Sequence, residues 1–364
     1  MHGIICRLTR AADTTDVRAT EQLDWAALAT YLRWRLADVA ITGLDLTADM
    51  EVSQFPGGHS NLTYLVRLGG AELVVRRPPF GPVPPKAHDM AREYRWLAAV
   101  HPLFPLAPRP YVLCEDTSVI GSVFYVMERR RGVVVRRDEP LGLAHREEPR
   151  RHLSEALVDT LAELHAIDVV DTPLASLGKP AGFVERQVRG WTDRWLGAKL
   201  AEVPEMDAVA TWLLANLPRD PDEPSIVHGD FKLDNVLLNP LDTSRIVAVF
   251  DWEMSALGDP LVDLGILLAY WSATSPPDQR DALSPVTDRP GYLSRDAIVD
   301  RYAEKSGRDV SDIVFYETFA LFKIAVVIQQ IYYRFVKGQT DDVRFAGFGA
   351  RVEYLARKAT GAIT

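Results

Sequence analysis

Cysteine is nearly absent from this 364-residue chain; Cys6 and Cys114 are the only two. Two thiols in no metal-like spacing exclude a disulfide framework and fit a reducing compartment. The opening MHGIICRLTR holds only a short apolar patch, with no h-region of secretory-signal length. No uninterrupted apolar run approaches the roughly 18 residues that span a bilayer. Basic residues are outnumbered by acidic ones, 41 to 50, for a net charge of −9. A nucleic-acid binder rests its affinity on a basic surface, so that partner is argued against. GxGxxG and GxxxxGK are both missing, and no internal repeat is visible. These absences predict a soluble cytoplasmic protein that engages neither nucleic acid nor membrane. With 47% hydrophobic and 25% charged residues, the chain is long enough for two units, each with its own core.

What is present centres on Ile226-Val227-His228-Gly229-Asp230-Phe231-Lys232-Leu233-Asp234-Asn235 and on Ile246-Val247-Ala248-Val249-Phe250-Asp251-Trp252-Glu253. Each segment has a β-branched apolar run that reads as a short strand and delivers polar residues at its end. The first presents Asp230 and Asn235 across a tight loop; the second presents Asp251. One carboxylate suited to accept a hydroxyl proton, with an amide oxygen and a second carboxylate suited to hard Mg²⁺, is the polar equipment of phosphoryl transfer.

HGDxxxxN followed by a strand-borne Asp-Trp resembles the aminoglycoside phosphotransferase and choline-kinase-like family, relatives of the protein kinases. There the loop reads HRDxxxxN and the metal aspartate sits in DFG. Gly258-Asp259-Pro260-Leu261-Val262-Asp263-Leu264 strengthens the match. The resemblance implies an α+β, two-lobed protein-kinase-like fold, with a small antiparallel-sheet N-lobe and a larger, mainly helical C-lobe. It divides the chain into an N-terminal extension and helix (1–42), an N-lobe (43–128) and a C-lobe (129–364). It implies ATP and Mg²⁺ as cofactors, Asp230 as catalytic base, Lys232 at the transferred phosphoryl group, and Asn235 and Asp251 as metal ligands. His228 and His165 are expected to brace rather than react. Asp259 and Asp263 are expected either to support the catalytic loop by accepting backbone hydrogen bonds or to cap the N-terminus of the next helix.

The rest of the chain fits that expectation in order. Residues 21–40 carry apolar positions at helical spacing. From 49 the period becomes two, giving strands at 49–55, 62–68 and 71–76, with Gly69-Gly70 as a two-residue hairpin turn. Between the first two strands lies Pro56-Gly57-Gly58-His59-Ser60-Asn61, where Gly57 and Gly58 permit close approach of backbone N–H groups to phosphates. By resemblance, Ser60 and Asn61 share this phosphate-covering loop. Arg76 stands where the third strand of a kinase small lobe carries its phosphate-binding lysine, with Arg77 as a competing register. Glu93, on a helix expected at 86–100, is its expected partner. Five prolines in residues 78–85 form a stiff extended connection. Strands at 111–115 and 122–127 close the sheet, and Met127-Glu128-Arg129 falls where the adenine-binding hinge belongs. Five arginines between Arg129 and Arg137 read either as a solvated charged face or as a handle for an anionic substrate. Helices are expected at 151–166, 183–217 with a break near Pro204, 260–271, 295–306 and 311–337, with a loop over 272–290.

The resemblance makes the protein a small-molecule kinase that phosphorylates a substrate hydroxyl. VSQFPGGHSNLTYLV, LVVRRPP, HGDFKLDN and FDWEMSALGDPLVDLG are similar to the kinase-like domains associated with acyl-CoA dehydrogenases, which implies a hydroxyacyl-CoA acceptor. The alternatives are an aminoglycoside antibiotic as acceptor, or a nucleotide-binding pseudokinase, favoured only by Arg76 in place of lysine. A zinc hydrolase built on His228, Asp230, His165 and Asp251 is disfavoured by its shortage of histidine.

Overall fold

Strands of period two must cover both faces of a sheet, and here a helix does so on each side. A computed structural model describes residues 13–56, 61–81, 88–136, 138–271 and 286–363. The chain divides into two compact units, Met1–Arg131 and Gly132–Thr364.

The first unit begins with α1 (Trp25–Arg35). Its sheet contains β1 (Met50–Gln54), β2 (Leu62–Leu68) and β3 (Ala71–Arg77); α2 (Met90–Val100) follows, then β4 (Pro110–Cys114) and β5 (Phe124–Glu128). The strand order is β1-β2-β3-β5-β4, antiparallel throughout. The β2–β3 register runs from Leu62↔Arg77 to Leu68↔Ala71, so Gly69-Gly70 forms the expected turn. Gly69 has a φ of 64°, the left-handed region that such a turn favours. Asp24 caps α1 by accepting the Ala27 N–H at 2.9 Å. Leu28, Leu32 and Leu36 share one core with Tyr64, Val66, Leu73, Val75, Phe124 and Val126. Side chains alternate across a strand, so Arg76 points to the opposite face. There α2, capped by Asp89 on the Arg92 N–H, packs on β4 and β5 with Trp96 fully buried.

The second unit is mostly helical. It contains α3 (Glu147–His165), α4 (Phe183–Ala198) and α5 (Pro204–Ala215). Pro204 sits in the first turn of α5, where a missing N–H costs nothing, which explains the break expected there. Two small antiparallel ladders follow. β6 (Ser225–Val227) pairs with β9 (Ala256–Gly258), and β7 (Val236–Leu238) pairs with β8 (Ile246–Val249). Then come α6 (Leu261–Tyr270), α7 (Arg295–Ser306), α8 (Ile313–Val336) and α9 (Phe348–Ile363).

α8 is the axis of this unit and packs against α4, α5, α6 and α9. By length and composition it is apolar enough to cross a membrane, yet 72% of its most apolar stretch is buried inside the fold. That makes it a core helix. Phe315, Phe319 and Phe322 of the aromatic stripe are core; Tyr332, Tyr333 and Phe335 are only half-buried. Gly265 marks where α6 crosses α8: a Cβ there would collide with the Tyr316 carbonyl. The helix α9 was not anticipated. It follows Gly347 and buries Val352, Leu355, Ala356 and Ala359.

Candidate active site

β6 carries the chain into the interior at His228, and Gly229 then turns it with a φ of 83°. A Cβ on Gly229 would lie 2.7 Å from the Met254 carbonyl oxygen, so this turn admits only glycine. The two N–H groups exposed by the turn are satisfied by one buried carboxylate. Asp263, in the first turn of α6, accepts from His228 N–H at 2.6 Å and from Gly229 N–H at 2.7 Å. His165, at the end of α3, lies 3.2 Å away through Nε2. A carboxylate only accepts, so His165 carries its proton on Nε2, and its Nδ1 accepts from the Tyr302 hydroxyl at 2.7 Å. Burial holds His165 below its ordinary value and keeps it neutral, so this contact is a hydrogen bond rather than an ion pair. Burial also opposes the charge on Asp263, but the His165 ring and the loop N–H groups outweigh it and hold the carboxyl below its usual range. The support expected of Asp263 is therefore present. Asp259 accepts from the Tyr316 hydroxyl and from the Leu261 N–H, which ties α6 to α8 instead.

His228 links the loop to the turn after β8. Its Nε2–H donates to the Phe250 carbonyl at 2.9 Å, and its Nδ1 accepts the Asp230 N–H at 3.3 Å. Burial pushes it below the ordinary histidine value. The Phe250 N–H donates to the Asn235 carbonyl at 2.8 Å, extending the β7–β8 ladder beyond Val236↔Val249. Asn235 and Asp251 are thereby brought to the same end of one ladder. Asp251 has a φ of 69° at the start of a short 3-10 turn.

The Asp230 carboxylate is gripped by its neighbours. Lys232 Nζ reaches Oδ1 at 2.8 Å and Oδ2 at 2.6 Å; Asn235 Nδ2 donates to Oδ2 and to the Asp230 carbonyl, both at 2.8 Å. Burial disfavours the Lys232 charge, but Asp230 outweighs it and raises the ammonium above its ordinary value. Lys232 Nζ also lies 4.7 Å from the centre of the Tyr270 ring, whose phenol burial pushes up to about 12.

Both side-chain N–H groups of Asn235 are spent on Asp230, which leaves its amide oxygen as a donor to a metal. That oxygen and the Asp251 carboxylate are hard ligands at one ladder end, a set that suits Mg²⁺ sharing its shell with phosphate and water. The zinc alternative does not fit. All four ring nitrogens of His165 and His228 are engaged, and no metal-binding group of three or more His, Cys, Asp or Glu occurs among the described residues.

In the first unit, Arg76 Nε lies 3.2 Å from Glu93 Oε2, with Glu93 buried. Arg77, one residue on, faces the α1 side, donates to the Ile120 carbonyl at 3.1 Å and stacks on Phe80. Strand alternation thus places Arg76, rather than Arg77, against Glu93. Asn61 is buried, with Oδ1 2.9 Å from His88 Nδ1. Gly57, Gly58 and Ser60 lie outside the described residues, as do residues 82–85 of the proline-rich stretch, Arg137 and residues 272–285. Met127 is buried on β5, and the Glu128 side chain accepts the Arg109 N–H at 3.2 Å. Arg129 pairs with Asp13 and sits over Phe55, its guanidinium pushed down to about 10 by burial, with Arg131 nearby. Arg130 pairs with Glu128 at 2.9 Å and Arg131 with Glu72 at 2.8 Å. The first three arginines of the basic run are therefore matched by carboxylates of their own unit.

One residue at the site was not foreseen. Lys323, in the middle of α8, donates to the Gly229 carbonyl. A lone lysine inside the apolar run Phe319–Val326 was the signal available, since a charge at a core position needs a partner.

Comparison with known proteins agrees with this geometry. The family described as "Phosphotransferase enzyme family" matches residues 51–296. Mouse acyl-CoA dehydrogenase family member 11 is 35% identical over 335 residues, covering 91% of this chain. The chain spans only 42% of that relative's length. A solved protein of Ralstonia eutropha JMP134 assigned to the aminoglycoside phosphotransferases superposes with a TM-score of 0.76 at 29% identity, covering 94% of this chain and 98% of its own. A thermostable mutant of aminoglycoside phosphotransferase APH(4)-Ia, solved with ADP and hygromycin B, shares the fold at a TM-score of 0.57 and 15% identity, covering 92% of this chain and 98% of its own. With its loop, ladder and buried supporting aspartate in place, this chain belongs to the APH phosphotransferase family.

Proposed function

We propose that the protein transfers the γ-phosphoryl group of ATP, with Mg²⁺, to the hydroxyl of a small molecule, and that this acceptor is a hydroxyacyl-CoA. The observation that carries the reaction type is the joint fixing of Asp230, Asn235 and Asp251 by the β7–β8 ladder and the Asp263 clamp. Phosphoryl transfer asks for positioning and charge neutralisation rather than covalent chemistry.

Asp230 is the base. Its Oδ2 has two donors and its Oδ1 only Lys232 among the described residues, so the acceptor hydroxyl docks on Oδ1 and loses its proton there. Lys232 balances the charge on Asp230 and, released toward the incoming phosphoryl group, offsets negative charge as the bond forms. Asn235 and Asp251 hold Mg²⁺, which when bound neutralises the nucleotide phosphates. Arg76, fixed by Glu93, offers a planar cation to the α- and β-phosphates. The backbone of Met127, Glu128 and Arg129 serves the adenine, and that of Asn61 the phosphates.

One observation supports the acceptor: the sequence relatives are named for acyl-CoA dehydrogenation. Label transfer from γ-labelled ATP to 4-hydroxypentanoyl-CoA and, in parallel, to hygromycin B tests the choice. Preference for the antibiotic would overturn the acyl-CoA assignment while leaving the kinase intact.

A further inference from the structure

α8 runs apolar through its middle, and Phe319, Ala320, Leu321, Phe322, Ile324, Ala325 and Val326 are all buried. Lys323 breaks this run, yet only 7% of it is exposed. Leaving a charge in such surroundings is costly unless something specific holds it. What holds it here is unusual for a buried ammonium: its hydrogen bond goes to the backbone carbonyl of Gly229, 94 residues away in sequence. The face of Trp191, from α4, lies 5.6 Å from Nζ. Asp230 and Asp263 favour the charge, while Lys232 and Arg194 oppose it, and burial dominates, bringing the group down to about 8.

The Gly229 peptides are thereby held from two directions. Asp263 fixes the N–H groups of His228 and Gly229. Lys323 fixes the carbonyl that leads into Asp230. Gly229 itself exerts little control, because a residue without a Cβ has shallow backbone preferences. A peptide rotation there would carry the Asp230 carboxylate away from Lys232 and Asn235.

We propose that Lys323 is a positioning residue for Asp230: by holding the Gly229 carbonyl it sets the orientation of the peptide that presents the base. The proposal rests on the assignment of Asp230 as base, so its test includes a readout independent of turnover. Lys323→Met keeps the length and packing of the side chain and removes both donor and charge. In the full-length protein it should lower kcat about 100-fold, as expected for a base displaced by about an ångström. KM for Mg-ATP and for the acceptor should change by less than about threefold, because binding groups are untouched. Lys323→Gln restores a neutral donor and should recover at least about tenfold of the lost kcat. A kcat unchanged in Lys323→Met, a loss carried entirely by KM, or a glutamine variant no better than methionine would each overturn the proposal.

Amide hydrogen exchange provides the independent readout and also serves if one variant fails to fold. Exchange at His228 and Gly229 should quicken about tenfold in Lys323→Met and clearly less in Lys323→Gln, while β2 and β3 stay unchanged. Unaltered exchange would reject the positioning role. If the wild type transfers phosphate to no acceptor but exchange responds as stated, the assigned function fails and the placement of Lys323 stands.

Discussion

Asp230 has its two oxygens in unequal surroundings, and that inequality defines what each neighbour does. Replacing it with asparagine removes the proton acceptor while keeping shape and hydrogen-bonding capacity. Asp230→Asn should lower transfer by about 10³-fold, within the usual range for a general base, with nucleotide affinity measured by calorimetry nearly unchanged. Asp251→Ala should raise the Mg²⁺ concentration needed for half-maximal rate at least about tenfold; an unchanged metal dependence would remove Asp251 from the metal shell. These residues were legible in the sequence because the chemistry is compact. Asp230 and Asn235 share one loop, and Asp251 stands at the end of the next strand. Lys323 was not, because its partner is set by how α8 crosses the loop, which no local pattern encodes. The basic run was half legible: its charge is plain in sequence, whereas its pairing with Asp13, Glu128 and Glu72 depends on tertiary placement.

Elements position these residues through a few close crossings. Where α6 meets α8, Gly265 leaves no room for a side chain against the Tyr316 backbone. α6 also carries Asp263, so a shift at this crossing is felt at the catalytic loop. Gly265→Ala should destabilise the protein by about 2 kcal/mol, the scale of overpacking in a tight core, and lower activity beyond what stability alone explains. Denaturant unfolding and initial rates on the same preparation check both parts. Periodicity announced most helices and the five strands of the first sheet, with ends displaced by up to five residues where caps such as Asp89 decide them. β6 is legible in Ile226-Val227, but its partner β9 escaped notice. Three-residue strands carry too little pattern, and Ala256–Gly258 pairs with Ser225–Val227 only because the intervening loop and ladder close on themselves. α9 escaped because its apolar positions become meaningful only once α8 is there to receive them.

At the scale of the molecule, buried neutral histidines couple stability to pH. His165 and His228 both sit below their ordinary value because burial disfavours their charge. In the unfolded chain each takes up a proton near pH 6.5, so their contribution is complete above that pH and lost as pH falls below it. Asp263 acts in the same sense at lower pH. Its folded value lies below 3.8, so its contribution is present above 3.8 and lost as pH falls through the folded value. Lys323, brought down to about 8, is charged from pH 7 downward and adds little to the slope there. The melting temperature should therefore fall from pH 7 to pH 5, with up to about 1.4 kcal/mol lost per pH unit per histidine. His165→Asn, which keeps a donor for Asp263 and an acceptor for Tyr302, should flatten that fall; an equally steep profile would remove His165 from the account. The central claim concerns the reaction itself, and one measurement reaches it most directly: the transfer of label from γ-labelled ATP to 4-hydroxypentanoyl-CoA with Mg²⁺, wild type beside Asp230→Asn. The account predicts a labelled thioester in the first and none above background in the second. Equal labelling in both would contradict the role of Asp230, and nucleotide binding with no transfer to any hydroxyl would contradict the kinase.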